Sequence, residues 1–389
     1  MAMKESIDAL LKRAADAGDV PGVVAAATDR NATIYEGAFG KRVLGQDTPM
    51  SADTVCWIAS MTKALTSTAA MQLVEQGKLD LERPASTWVP DVAKAQVLEG
   101  FDAGGKPRLR KPKSQITLRH LLTHTAGFGY EIWSTDILKY QEVTGTPGIT
   151  SCENAALTTP LLFDPGERWF YGINIDWVGK SVEAVSGKKL GAYMAENLFG
   201  PLGMSSTAFK ITPAMRQRLA KIHQRDDSDA LTPLDLELPQ EPEFEMGGGG
   251  LYSTVGDYLK FLRMILNRGK SGSAQLLKPE TVDLMTRNAM GATRVTLLHT
   301  AMPPLSNDAE FFPGVPKSWG LGFQINEAAA PTGRPAGGLM WGGLANSYFW
   351  IDVKNGLGGA YATQVLPFAD KKSLPLYYAF ESAVYKARS

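Results

Sequence analysis

Strand signals crowd the two ends of this 389-residue chain and leave its middle to helices. Near the start, residues 22–28 (GVVAAAT) and 32–40 flank Asp29-Arg30-Asn31, which reads as two antiparallel strands around a turn. Near the end, residues 318–325, 339–351 and 358–364 form glycine-marked strand patterns, and a last helix is expected over about 372–388. Between them, residues 128–232 read as mostly helical, with Val178, Val182 and Val185, then Leu190, Tyr193 and Met194, on helical faces. An N-terminal amphipathic helix carries Ile7, Leu10, Leu11 and Ala14. This order predicts an α+β fold: an antiparallel sheet flanked by helices, with a mostly helical inserted domain. The expected division is 1–95 with 235–389 as a discontinuous sheet domain and 96–234 as the helical domain, with an active site in the cleft between them.

The stretch with the most chemistry is residues 56–66, CWIASMTKALT. Ser60 and Lys63 stand three apart at the start of a helix expected to run to about Gln76. Positions i and i+3 share a helix face, so the hydroxyl and the amine meet. The helix N-terminus also favours developing negative charge. Taken alone, the pattern fits a capping serine beside a solvated lysine better than a nucleophile. The context decides.

Several function classes are excluded or disfavoured. Lys and Arg number 40 and Asp and Glu 40, so no net field attracts nucleic acid or an acidic membrane. Residues 106–113 hold five basic residues, but two prolines and no aromatic ring point to a solvated loop. No run of about 18 apolar residues is present, and residues 1–20 lack an apolar core. A cytoplasmic protein is the expectation. Cys56 and Cys152 read as buried free thiols. His120 and His124 have the i,i+4 spacing of metal ligands but lack the glutamate of a zinc-protease helix, so neither metal nor cofactor is expected. Thr117 is a candidate cap for a short helix ending near Gly127. Residues 226–245, acidic and broken by three prolines, read as a boundary or loop. Gly247 to Gly250 precede a helix expected over 255–266; with no Gly-Lys-Ser/Thr after them, they read as a close backbone approach rather than a phosphate loop. No Gly-x-Ser-x-Gly elbow exists.

Ser60-Met61-Thr62-Lys63, then residues 121–127 (LLTHTAG), Tyr171-Gly172-Ile173-Asn174-Ile175-Asp176, residues 247–254 and Trp341-Gly342-Gly343 occur in this order. Together they resemble the serine β-lactamase and penicillin-binding-protein superfamily over nearly the whole chain. The resemblance is nearest to family VIII carboxylesterases and the lovastatin-pathway acyltransferase, relatives of class C β-lactamases. It implies a β-lactamase-like fold and a serine carboxylesterase that forms an acyl-enzyme, with acyl transfer to alcohols as an associated activity. Ser60 would be the nucleophile. Lys63 and Tyr171 are the two candidates for the base, and the residues leave the choice open. The backbone amides of Ser60 and Leu344 would form the oxyanion hole. Trp341, Gly342, Gly343, Ile173 and Asn174 would bind substrate, and Asp176 would support the loop.

The chain departs from the β-lactamase pattern at two points. Trp341 replaces the strand lysine, and Ile173 stands where class C enzymes carry the asparagine of Tyr-x-Asn. Both changes remove polar groups that would hold a β-lactam. A small-molecule ester is therefore the expected partner. A β-lactamase or D-amino-acid peptidase is the second reading, and a non-catalytic binding protein on the same scaffold the third.

Overall fold

The computed structural model describes residues 2–388. It is an α+β fold built on an antiparallel sheet. Helix α1 (Ala2–Asp16) leads into the hairpin β1 (Gly22–Thr28) and β2 (Thr33–Gly40). Helix α2 (Thr62–Glu75) follows the short turn that carries Ser60. Later come α3 (Asn174–Ser186) and α4 (Val255–Leu266). The C-terminal strands are β3 (Lys317–Trp319), β4 (Gln324–Asn326), β5 (Gly338–Gly343), β6 (Ser347–Asp352) and β7 (Leu357–Ala362), with α5 (Ser373–Lys386) last.

These strands form one antiparallel seven-stranded sheet in the order β3-β4-β5-β6-β7-β1-β2. The last strand of the C-terminal set thus pairs with the first strand of the chain, Ala25 opposite Tyr361. The period-two alternation of β6 shows how both faces are covered. Tyr348 and Trp350 meet Tyr377 and Phe380 of α5, while Phe349 between them meets Tyr258 of α4. Every residue of β1 is buried, as a strand covered on both faces requires. Helix α2 lies deeper than an amphipathic helix would, with Thr62 to Leu73 all buried. Its alanines, threonines and serines let neighbouring backbone approach: a Cβ at Gly322 would lie 2.8 Å from Ser67 Cβ, and one at Gly247 3.1 Å from Thr66 Cγ2.

Three local expectations are corrected. The basic segment is one arm of a hairpin, Val97–Phe101 with Pro107–Arg110, not a solvated loop. Arg110 reaches Asp164 through two 2.8 Å hydrogen bonds, so its charge is neutralised within the protein. Thr117 does cap a helix, but it ends at Leu122 because His124 turns into the left-handed region at φ 57°. Within 226–245, Leu231–Leu234 is a strand at the edge of a three-stranded sheet with Ile222–Arg225 and Val365–Leu366. Cys56 and Cys152 are free and buried. Among the described residues no helix is long and apolar enough to cross a membrane.

Candidate active site

The chain reaches Ser60 through a strained corner. Ala59 sits at φ 43°, a left-handed conformation that costs a residue with a Cβ about 1–3 kcal/mol. The corner is closed by Met61 N–H donating to Ile58 O at 3.0 Å, and Ser347 Oγ donates to the same carbonyl at 3.3 Å. The end of β5 is wedged against it: a Cβ at Gly343 would lie only 2.2 Å from Ile58 O. Glycine there lets Leu344 follow directly beside the turn, and Leu344 lines the same cavity as Ser60.

One helical turn on, the Lys63 amine is completely buried. Its Nζ lies 3.1 Å from Ser60 Oγ, 3.0 Å from the Tyr130 hydroxyl and 2.6 Å from Gly248 O. These three partners satisfy either protonation state. An ammonium donates to all three oxygens. A neutral amine donates to Gly248 O and Tyr130 and receives the Ser60 proton on its lone pair. Burial favours the neutral form and brings the Lys63 pKa down to about 7, against the opposing pull of the Asp176 charge.

Asp176, on the first turn of α3, never touches Lys63 directly. Its Oδ1 accepts from Gly248 N at 2.8 Å, and Gly248 O accepts from Lys63. One residue, Gly248, therefore links carboxylate to amine through its N–H and its C=O. A side chain there would displace the site, since a Cβ at Gly248 would lie 2.6 Å from Asp176 Oδ2 and 2.9 Å from the Tyr130 oxygen. Burial pushes the Asp176 carboxyl up to about 6, and Lys63 and the Gly248 amide offset part of that rise.

Tyr171 enters from the loop before α3. Gly172 allows that loop to press on Phe128, whose carbonyl oxygen would lie 2.3 Å from a Cβ at 172. The Tyr171 oxygen accepts a 2.9 Å hydrogen bond from Trp341 Nε1. Burial pushes its pKa well up, while Ser60 and Trp341 pull it in the opposite direction. At neutral pH it is a phenol. The Lys63 Nζ lies 4.6 Å from the centre of its ring.

The structure thus brings Ser60, Lys63, Tyr171 and Asp176 together, with Leu344 at the cavity wall. The five residues expected to contact substrate are placed as follows. Trp341 is buried in a cluster with Trp319, Phe311 and Tyr171, and its N–H serves Tyr171. Gly342 makes room for the Tyr348 ring, 2.7 Å from where its Cβ would be, and Gly343 for the Ile58 carbonyl. Ile173 is buried away from the cavity. Asn174 is buried too, its Nδ2 3.0 Å from His124 Nδ1 and 3.4 Å from Phe128 O, where it braces the loop under Tyr171. His120 accepts from Thr117 N through Nδ1, so both histidines make structural hydrogen bonds. Tyr130 is the residue that sequence reasoning missed. A buried lysine needs oxygen partners, and the loop after Gly127 was the place to look for one.

The cavity at Ser60 measures about 30 Å³. Trp57, Ile132, Trp133, Ile149, Met246 and Leu344 give it an apolar wall, and no Lys or Arg side chain lines it. A hollow of about 660 Å³ between Val89, Leu109, Tyr140, Leu157 and Trp177 contains none of the reactive groups.

Comparison with known proteins follows this geometry. A model of the family described as Beta-lactamase matches residues 7–382. Monacolin J acid methylbutanoyltransferase of Aspergillus terreus is 34% identical, over 97% of this chain and 95% of its own. Lovastatin esterase of Penicillium rubens is 32% identical over 98% of each chain. Among solved structures, unliganded simvastatin synthase (LovD) of Aspergillus terreus matches with a TM-score of 0.86 at 33% identity, covering 98% of both chains. EstCE1, described as a hydrolase with promiscuous acyltransferase activity, matches with a TM-score of 0.78 at 25% identity, covering 99% of this chain and 98% of its own.

Proposed function

This chain belongs to the Beta-lactamase family, and from that footing we propose that it is a serine ester hydrolase that also passes acyl groups to alcohols. The observation that carries the reading is the buried Lys63 amine, 3.1 Å from Ser60 Oγ, with its pKa brought down to about 7. At the ordinary lysine pKa of about 10.4, only a few amines in ten thousand are neutral at pH 7. Here a large fraction is, and the Ser60 proton has somewhere to go. Between the two candidates, the neutral phenol of Tyr171 suits a donor and Lys63 suits the base. The transferase and esterase relatives support the same chemistry.

In this reading Ser60 Oγ attacks the ester carbonyl carbon as its proton passes to Lys63 Nζ. The amides of Ser60 and Leu344 hold the oxyanion, each worth about 3–4 kcal/mol of barrier. The alkoxide leaves with a proton delivered from Lys63 through the Tyr171 hydroxyl. Water or an alcohol then takes the acyl group from Ser60. Ser60 and Lys63 come from the part we read as the sheet domain (1–95 with 235–389), Tyr130 and Tyr171 from the part we read as the helical domain (96–234). The cation-free cavity supports esters over β-lactams, whose carboxylate would find no counter-charge.

The test uses intact-mass analysis and turnover with p-nitrophenyl butyrate and nitrocefin. Wild-type protein should gain one butyryl group and turn over the ester with the higher kcat/KM. Folded Ser60→Ala should do neither. Residual ester hydrolysis by that variant at a comparable rate, or nitrocefin turned over as well as the ester, would overturn the reading.

A further inference from the structure

We propose that Trp133, held by Ser306, sets the length of the acyl group that the site accepts, limiting it to chains of about two to four carbons. The proposal rests on the ester-hydrolase reading and deepens it. Trp133 lies on the short turn Glu131–Trp133 and lines the cavity beside Ser60. Its ring packs against both site tyrosines, with centroids 5.3 Å from Tyr171 and 6.0 Å from Tyr130. Its single polar atom, Nε1, donates to Ser306 Oγ at 3.0 Å. Toward the cavity the indole therefore presents ring carbon alone.

Ser306 is fully buried, and its own proton is committed to Asn307 O at 2.6 Å. The hydroxyl oxygen can then only accept, which fixes the direction of the bond from Trp133. The segment around Ser306 is fastened on both sides of this contact. Ala301 N–H donates to Ile132 O at 2.8 Å, and Asn307 N–H donates to Phe368 O at 3.0 Å. A chain segment about 170 positions downstream thus locks one wall of the cavity (|i−j| = 173 for the Trp133–Ser306 bond).

The volume supplies the size limit. A water-sized group needs roughly 10–15 Å³ by this measure, so about 30 Å³ holds two or three non-hydrogen atoms. Trp57, Ile132, Ile149, Met246 and Leu344 complete the wall; Trp57 is tied to a backbone carbonyl, Gly249 O at 2.7 Å, whereas Trp133 is tied to a single distant side chain. Releasing that anchor lets the indole turn and lengthens the cavity.

The experiment compares kcat/KM for p-nitrophenyl acetate, butyrate and octanoate on wild type, Ser306→Ala, Trp133→Phe and Trp133→Ala, each checked for folding by thermal unfolding. Wild type should favour butyrate over octanoate by roughly a hundredfold, the scale of discrimination an apolar pocket gives. Ser306→Ala and Trp133→Phe, which both remove the anchoring bond, should cut that ratio at least tenfold, and Trp133→Ala further. A merely structural role would lower all three esters in the same proportion, and that result overturns the proposal. So does a wild-type preference for octanoate, which needs no variant to observe. If folded wild type turns over none of the esters, the hydrolase reading falls and the role of Trp133 falls with it.

Discussion

Lys63 changes charge in the pH range where activity is ordinarily measured, because burial brings its pKa down to about 7. The neutral amine is the form that can take the Ser60 proton, so kcat/KM for ester hydrolysis should be low at pH 5 and rise through about pH 7 as the ammonium gives up its proton. Asp176 acts against burial, since its negative charge favours the ammonium. Asp176→Asn keeps an oxygen for Gly248 N and removes that charge. The acid limb of the profile should therefore move to lower pH, by about a unit or more on the scale of a nearby opposite charge. A pH–rate profile of acylation reads this directly. A limb that stays where it is in Asp176→Asn would show that the carboxylate positions Gly248 without tuning the amine.

Helix α5 is joined to the segment leading into β5 by a buried ion pair. Arg334 and Glu381 are both fully buried and bond through two contacts of 2.7 and 2.9 Å, while Arg334 Nη1 donates to Leu339 O at 3.2 Å. Arg334→Met leaves Glu381 buried without a partner and should cost about 3–5 kcal/mol in urea unfolding. The double variant Arg334→Met with Glu381→Leu should recover much of that loss, because what hurts is the unpaired charge. At this same scale the sequence was informative wherever the cause of an element is local. The β1–β2 hairpin has its turn, and α4 has Thr254 accepting from Asp257 N. It was silent where the cause is distant. The hairpin at 97–110 carries Gly100 and Pro107 and is held by Arg110 on Asp164, 54 residues away. The strand Leu231–Leu234 contains Pro233, tolerated because it lies at a sheet edge. The site divides the same way. The meeting of Ser60 with Lys63 follows from helical spacing, and that of Tyr171 from the resemblance. Which way Trp341 and Asn174 point, and that Tyr130 answers a lysine 67 residues earlier, are set by packing that no local pattern encodes.

The seven-stranded sheet takes β1 between β7 and β2, so it closes only when the first 40 residues meet the last 33 or so. Helix α1 lies beside α5: Met3 and Leu10 share a surface hollow with Ala383 and Lys386, and Arg388 bonds Asp29 at 3.1 Å. The first and last helices of the described residues are thus neighbours. A circular permutant, joined end to end by a short Gly/Ser linker of about six residues and reopened in the exposed turn between Gly104 and Gly105, keeps every strand pairing described above. It should refold with kcat/KM for p-nitrophenyl butyrate within a few fold of the natural order, measured beside a thermal unfolding curve. Failure of that permutant to fold would mean that β1 and β2 must be made first. Its success would mean that the order in which the elements are joined does not decide the fold, and that a second protein could be spliced in at Gly104 while the serine, lysine and tyrosines stay where they are.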